Sequence, residues 1–104
     1  MPKSYFVVRA TIHDPSKREA FDSWYKNVHL PDALRLFGVK RAWRCWSLAD
    51  SIVHEATYEF VDQESLAHAI DGGALKQLID DFNRDWPEVT RTREAFTLAE
   101  EVGA

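Results

Sequence analysis

Cys45 is the chain's one cysteine. An intrachain disulfide is therefore impossible, and zinc sites built on paired CxxC motifs are excluded. A lone thiol suits a reducing compartment, so a cytoplasmic location is expected. Long hydrophobic runs are missing too. The apolar stretch in "SYFVVRATI" is broken by Arg9 and is too short for a secretory leader. Nothing approaches the roughly 18 consecutive apolar residues of a bilayer span. Positive charge is not in excess: 13 Lys and Arg stand against 17 Asp and Glu, a formal net charge of -4. The basic residues are scattered and form no run interleaved with aromatics. Neither a nucleic acid nor a membrane is expected as a partner. Among catalytic signatures there is no GxGxxG, Walker A, HExxH or GxSxG, so dinucleotide binding, phosphoryl transfer and zinc hydrolysis lack support.

What is present is a globular balance, 45% hydrophobic and 29% charged over 104 residues, enough for one domain spanning 1–104. Residues 4–12, rich in β-branched and aromatic side chains, read as a first strand. Asp14 is a good N-cap and Pro15 suits the first helical position. Ala20, Phe21, Trp24 and Val28 then recur at helical spacing as one apolar stripe. Pro31 restricts Leu30, which predicts an end or a kink near His29. "DALRLFG" adds a turn or two, closed by Gly38 in a left-handed conformation. Residues 39–48 and 53–60 are strand-like and separated by "ADSI", a plausible hairpin. Asp62 caps a second helical region, interrupted at "DGG". It resumes with Leu75, Leu78, Ile79, Phe82 and Trp86 on one face and ends at Pro87. "EVTRTREAFTL" is a last strand. The order β-α-β-β-α-β predicts an α+β, ferredoxin-like fold, with helices on one face of a four-stranded antiparallel sheet. The other face, expected to carry Trp46 and Leu48 among Arg44, Glu55 and Thr57, reads as a partner surface for a sheet-to-sheet homodimer.

The segment "WYKNVHLPD", Trp24 to Asp32, holds the strongest candidate for chemistry. His29 lies one turn after Tyr25, and i,i+4 residues share a helix face. It either satisfies loose carbonyls at a helix end broken by Pro31, or tips an imidazole into a cleft above the sheet. With "ADSI" as the turn, one hairpin face collects Arg41, Trp43, Cys45 and Ser47 with His54, Ala56, Tyr58 and Phe60. This more aromatic set is expected beneath the helices, with Lys/Arg–Glu ion pairs across the other face. An apolar space holding His54, Tyr58, Arg41 and Cys45, reached from above by His29, has the make-up of a small-molecule pocket. Plainer readings stand beside these. Trp43 and Tyr58 fit a core, Cys45 fits a small buried hydrophobe, and His54 fits a loop mouth. Arg91 and Arg93 share a strand face and bind an anionic group or pair with Glu residues. His68 reads as surface and His13 as a loop residue. A metal site from His29 and His54 lacks a carboxylate partner, and no cofactor or metal is expected.

The element order, with a first helix ending in "FDSWYKNVHLPD" before "FGVKRAWR", resembles the dimeric α/β barrel superfamily, and within it the EthD-like proteins. The resemblance covers nearly the whole chain in element order, and its most specific motif runs from Trp24 to Val39. It implies a homodimer formed through the sheets and a cleft between helices and sheet, with His29 at the position of the EthD-like cleft histidine. Superfamily members include cofactor-independent monooxygenases, polyketide cyclases, lactone isomerases and haem-degrading enzymes. "FG" stands here where Pro-Gly is common.

Three functions emerge as expectations. The first is an enzyme acting on a hydrophobic or aromatic small molecule, with His29 as acid or base. Tyr58 or His54 would assist it, and Trp24, Tyr25, Arg41, Trp43 and Phe60 would bind the ligand. The second is a non-catalytic ligand-binding or assembly dimer. The third is haem or metal binding through His29 or His54.

Overall fold

The computed structural model describes residues 2–103. Strand β1 (Ser4–Thr11) leads through a 3-10 turn (Pro15–Lys17) into helix α1 (Arg18–Trp24). A π-helical turn (Tyr25–His29) carries the chain on into α2 (Leu30–Phe37). Strands β2 (Arg41–Trp46) and β3 (Val53–Phe60), helices α3 (Gln63–Asp71) and α4 (Gly73–Asp85), and strand β4 (Thr90–Thr97) complete the order. The four strands form an antiparallel sheet in the order β2-β3-β1-β4, with all helices on one side. This is the expected ferredoxin-like α+β fold.

The first helical segment does not break at Pro31. Pro31 has no N–H to give the Asn27 carbonyl, and the backbone answers with a wider turn in which the Leu30 N–H bonds the Tyr25 carbonyl. The buried residues there are Phe21, Tyr25, His29 and Ala33, spaced by four. In a plain α-helix a step of four drifts about 40° around the axis, and the wider π turn offsets that drift at Tyr25 and His29. Val28, expected on the apolar stripe, is instead 46% exposed, and His29 takes the inward position at 7%. Gly38 closes α2 at φ +68°, as expected, its N–H bonded to the Leu34 carbonyl.

The hairpin corrects a second expectation. β2 and β3 pair Arg41 with Glu59, Trp43 with Thr57 and Trp46 with His54. The Ser47 N–H closes onto the Val53 carbonyl at 2.9 Å, which leaves a five-residue loop rather than four. One extra loop residue reverses which face each β2 side chain occupies. Ala42, Arg44 and Trp46 therefore share the helix side with His54, Ala56 and Tyr58. Arg41, Trp43 and Cys45 lie on the open face with Glu55, Thr57 and Glu59, and cannot line a cleft beneath the helices. Leu48 sits in the loop, fully exposed. Cross-strand ion pairs do occupy the open face: Arg9–Glu55 at 2.8 Å, and Glu59 held by Lys3 and Arg41, each at 3.6 Å.

The core sits between helices and sheet and is unusually aromatic. Phe21, completely buried, has ring centroids of Trp24, Tyr25, Trp46, His54, Phe82 and Trp86 within 5.3–6.2 Å. Helix α4 packs mainly against α2 and α3 and not deeply onto a strand. The helix layer consequently stops short of β4, where Arg93, Ala95 and Thr97 remain exposed on the helix side.

Candidate active site

The π turn sets the site. It aims Tyr25 and His29 inward together, and Trp24 clamps the turn from outside. The Trp24 ring stacks on the His29 imidazole at 4.7 Å and 21°, while its Nε1–H donates to Asp85 at the end of α4 at 3.1 Å. Phe82 meets the His29 ring nearly at right angles, 5.4 Å between centroids. No protein atom hydrogen-bonds the His29 ring among the described residues, so the imidazole is not capping a helix carbonyl. Burial first, and then the charge of Arg91, lower its pKa to about 4 against the opposing pull of Asp32 and Asp85. It stands as a neutral, free base at neutral pH.

Below it the Tyr25 and Tyr58 hydroxyls share a buried 2.6 Å hydrogen bond. Burial pushes Tyr25 up to about 12 and Tyr58 well above its ordinary value, so both remain protonated. Between these groups lies a cavity of about 20 Å³, walled by Phe6, Val8, Phe37, Leu78, Phe82 and the Arg91 side chain among others. That volume holds roughly one water molecule. It lies beside the stretch where the helix layer stops short of β4.

His54 does not reach this space. It is completely buried behind Tyr25, 4.6 Å between ring centroids, rather than at a loop mouth. Its Nε2 faces Arg44 Nη1 at 3.3 Å. A guanidinium only donates, so Nε2 accepts and the proton sits on Nδ1, which has no partner. Burial, with the Arg44 charge second, lowers the His54 pKa to about 4. Arg44 in turn bonds Asp22 at 3.0 Å, and the same carboxylate oxygen accepts from Trp46 Nε1 at 2.8 Å. These bonds, the Trp46 indole first, hold the Asp22 pKa low. The network ties α1 to β2 behind Tyr25.

Of the residues expected at the site, the structure brings together His29, Tyr25, Tyr58 and Trp24. Phe60 is buried but lies toward the far end of the helix layer, against Phe37. Arg41 and Trp43 are on the opposite face, and both are exposed along β2. Sequence reasoning places Arg44 and Trp46 on the open face and misses Asp22, because their meeting depends on a loop length that the turn residues do not specify. His13 bonds Thr90 and His68 is exposed, in line with the roles read for them. No three His, Cys, Asp or Glu side chains converge as a metal site among the described residues. Among the described residues no helix is long and apolar enough to cross a membrane.

A larger depression, about 660 Å³, lies elsewhere, bordered by Lys3, Phe37, Lys40, Glu59, Asp62 and His68. Two of its three acids are already engaged, Glu59 by Lys3 and Arg41, and Asp62 as the cap of α3. Size favours that groove, but the His29 ring and the unpartnered Arg91 Nη1 lie at the small cavity, and a site needs such convergent polar groups.

No family model matches the sequence, and no curated protein does. Solved structures do match in fold. A mutant of SnoaB, a cofactor-independent oxygenase from Streptomyces nogalater, superposes with a TM-score of 0.74 at 15% identity, both chains covered in full. A dimeric ferredoxin-like protein from an uncultured marine organism gives 0.68 at 19% identity, covering 98% of this chain and all of the other. An ethyl tert-butyl ether d (ethd) family protein from Bacillus halodurans gives 0.64 at 19%, again covering 98% and 100%. The fold is the one these proteins share. The resemblance to the dimeric α/β barrel superfamily, EthD-like proteins included, thus holds at the level of fold.

Proposed function

We propose that the protein is a small homodimeric enzyme that moves a proton on a hydrophobic or aromatic molecule held between helices and sheet, with His29 as the base. The observation that carries this reading is a buried imidazole with no hydrogen-bond partner among the described residues, poised over a Tyr–Tyr hydroxyl pair at a cavity. A histidine kept only for structure ordinarily has its ring nitrogens satisfied. Tyr58, linked through Tyr25, supplies a protonated hydroxyl that can donate to a carbonyl oxygen. Trp24 fixes the ring plane of His29. His54 has no route to a ligand and serves to hold Tyr25 in place. The oxygenase and EthD-family neighbours make an enzyme a natural use of this fold, although fold alone assigns no reaction. The location that suits this reading is the cytoplasm.

The activated CH2 protons of 2-tetralone, an aromatic ketone, exchange into D2O by base-promoted loss, which NMR follows directly. Wild-type protein is expected to accelerate that exchange, and His29→Gln to reduce the acceleration by about 10²–10⁴-fold with circular dichroism unchanged. Wild-type rates in the variant would overturn the assignment.

A second reading, a non-catalytic binding or assembly dimer, is favoured by the cavity's size. About 20 Å³ admits no aromatic ring until α4 or the Leu75 and Ile79 side chains move. Ligand binding without any acceleration of exchange would select it.

Both readings use the open sheet face as a homodimer surface. Tyr5 and Trp43 pack there at 6.2 Å, and Trp43 and Phe96 are 38% and 46% exposed. Aromatics ringed by ion pairs fit an interface better than a solvated face. Sedimentation equilibrium is expected to give a dimer at micromolar concentration and a monomer for Trp43→Glu. A monomeric wild type would remove the dimer from the proposal.

A further inference from the structure

Arg91 and Arg93 lie next to each other on the helix-facing side of β4, and both border the cavity that His29 lines. The sequence leaves two uses open for them, binding an anion or pairing with glutamates. The pairing does not occur: neither is within ion-pair distance of a carboxylate among the described residues, although most other arginines are. Thr92, between them in sequence, and Glu94, which follows Arg93, point to the other face of the strand.

Arg91 is held from two sides. Its guanidinium carbon sits 3.8 Å from the Phe82 ring centroid, and Nη2 donates to Asn83 Oδ1 at 2.7 Å. The remaining Nη1 is buried and bonds nothing among the described residues. Phe82 is also the ring against which His29 packs, so one aromatic positions both the base and the cation. Two adjacent cations without counter-charge repel each other. Desolvation and that repulsion already depress the Arg91 pKa to about 10, and a buried donor left unmade is costly. An oxyanion placed between the guanidiniums relieves both penalties, through the planar fork geometry that arginine offers.

We infer that Arg91 and Arg93 form an oxyanion site, so that the molecule taken by this cavity is an aromatic or hydrophobic compound bound as its anion, an enolate or a carboxylate. The inference rests on the cavity being the ligand site, as proposed above, and defines the class of ligand. For an enolisable ketone the step balances without any oxidant. The C–H bond breaks, its proton goes to the free nitrogen of His29, and the electron pair becomes the enolate whose oxygen faces Arg91 Nη1. The same anion cancels the Arg91 charge that acts on His29, and so makes the imidazole a better proton acceptor when the site is filled.

Benzoate and its neutral counterpart benzamide separate the possibilities by isothermal titration calorimetry. Wild-type protein is expected to bind benzoate at least about tenfold tighter than benzamide. Arg93→Met and Arg91→Met should each lower benzoate affinity about tenfold or more, while Arg91→Lys, which keeps the charge, should lose less. Arg93 is exposed, so its variant tests the site even if Arg91→Met fails to fold. NMR titration of the His29 ring adds a readout that a purely structural arginine would not move: its pKa should rise when benzoate is bound. Equal binding of the two probes would overturn the inference, as would benzoate binding that survives Arg93→Met, or no benzoate binding at all. The proton-transfer reading is tested separately. Benzoate binding retained in His29→Gln, with tetralone exchange absent in the wild type, would leave the oxyanion site standing and remove the base.

Discussion

Phe21→Ala is expected to cost about 3–5 kcal/mol of folding stability, the usual range for an aromatic deleted from a core. Phe21 is completely buried, and its ring lies against six others drawn from α1, the π turn, β2, β3, α4 and the segment after α4. Removing it leaves a hole that is hard to fill, because three of its neighbours are fixed by partners of their own. Trp24 is held by Asp85, Trp46 by Asp22, and Tyr25 by Tyr58. For a domain of this size about 1 kcal/mol moves the melting temperature by roughly 4–8 °C, so a fall on the order of 15–30 °C should appear in thermal unfolding. A loss of only a few degrees would mean that the ring cluster repacks and is not the keystone of the core. The effect reaches the site as well, since Phe21 stands directly behind Tyr25 and His54.

Acid should destabilise the protein well above the pH at which carboxylates titrate. His29 and His54 both have folded pKa values near 4, against about 6.5 in an unfolded chain. Between those values the unfolded chain binds protons that the folded one refuses, so stability rises with pH across the window. The contribution is complete above about pH 6.5 and is lost as pH falls toward 4. The groups facing each ring are fixed in kind: Arg91, Asp32 and Asp85 around His29, and Arg44, Asp22 and His29 itself around His54. Their charges partly cancel, which leaves burial as the leading cause. Each histidine can cost up to about 1.4 kcal/mol per pH unit, for a total on the order of a few kcal/mol. Urea midpoints measured from pH 7.5 to 4.5 should show the decline, and a His29→Gln/His54→Gln double variant should flatten it. A slope that survives the double substitution would mean other groups carry the acid sensitivity. The low-pKa carboxylates Asp22 and Asp85 act in the same direction, but in the more acidic part of the range.

Most of the element order is legible along the chain because it depends on local chemistry. Asp14 caps the turn that Pro15 opens, Asp62 caps α3, and Gly38 ends α2 in the left-handed region. Apolar periodicity marks α4, and β-branched runs mark the strands. From that order the ferredoxin-like fold emerges, since four strands and intervening helices have few other ways to cover one face of a sheet. His29 and Tyr25 stand out from their four-residue spacing, and Tyr58 from the alternation of β3.

Two misplacements share a cause. Counting from a neighbouring element at a standard period puts Val28 and the β2 residues Arg41, Trp43 and Cys45 on the wrong faces. The π turn adds a residue to one helical turn, and the five-residue loop adds one to the hairpin. Either insertion rotates the residues beyond it, and the energy that selects it is burial: Tyr25, His29 and Trp46 reach the core only if the extra residue is accommodated. Local propensity is nearly blind to that choice, because it is made by contacts between segments far apart in sequence.

Residue chemistry read along the chain is enough for the elements, their order, the single cysteine's limits and a histidine close to a proline. Only the packed molecule makes this histidine neutral and, among the described residues, unbonded, seals His54 behind Tyr25 with Arg44, and leaves Arg91 and Arg93 with no carboxylate among those residues. Protonation and pairing depend on desolvation and on charges within a few ångströms, and those distances exist only once the sheet has brought β4, α4 and the π turn together.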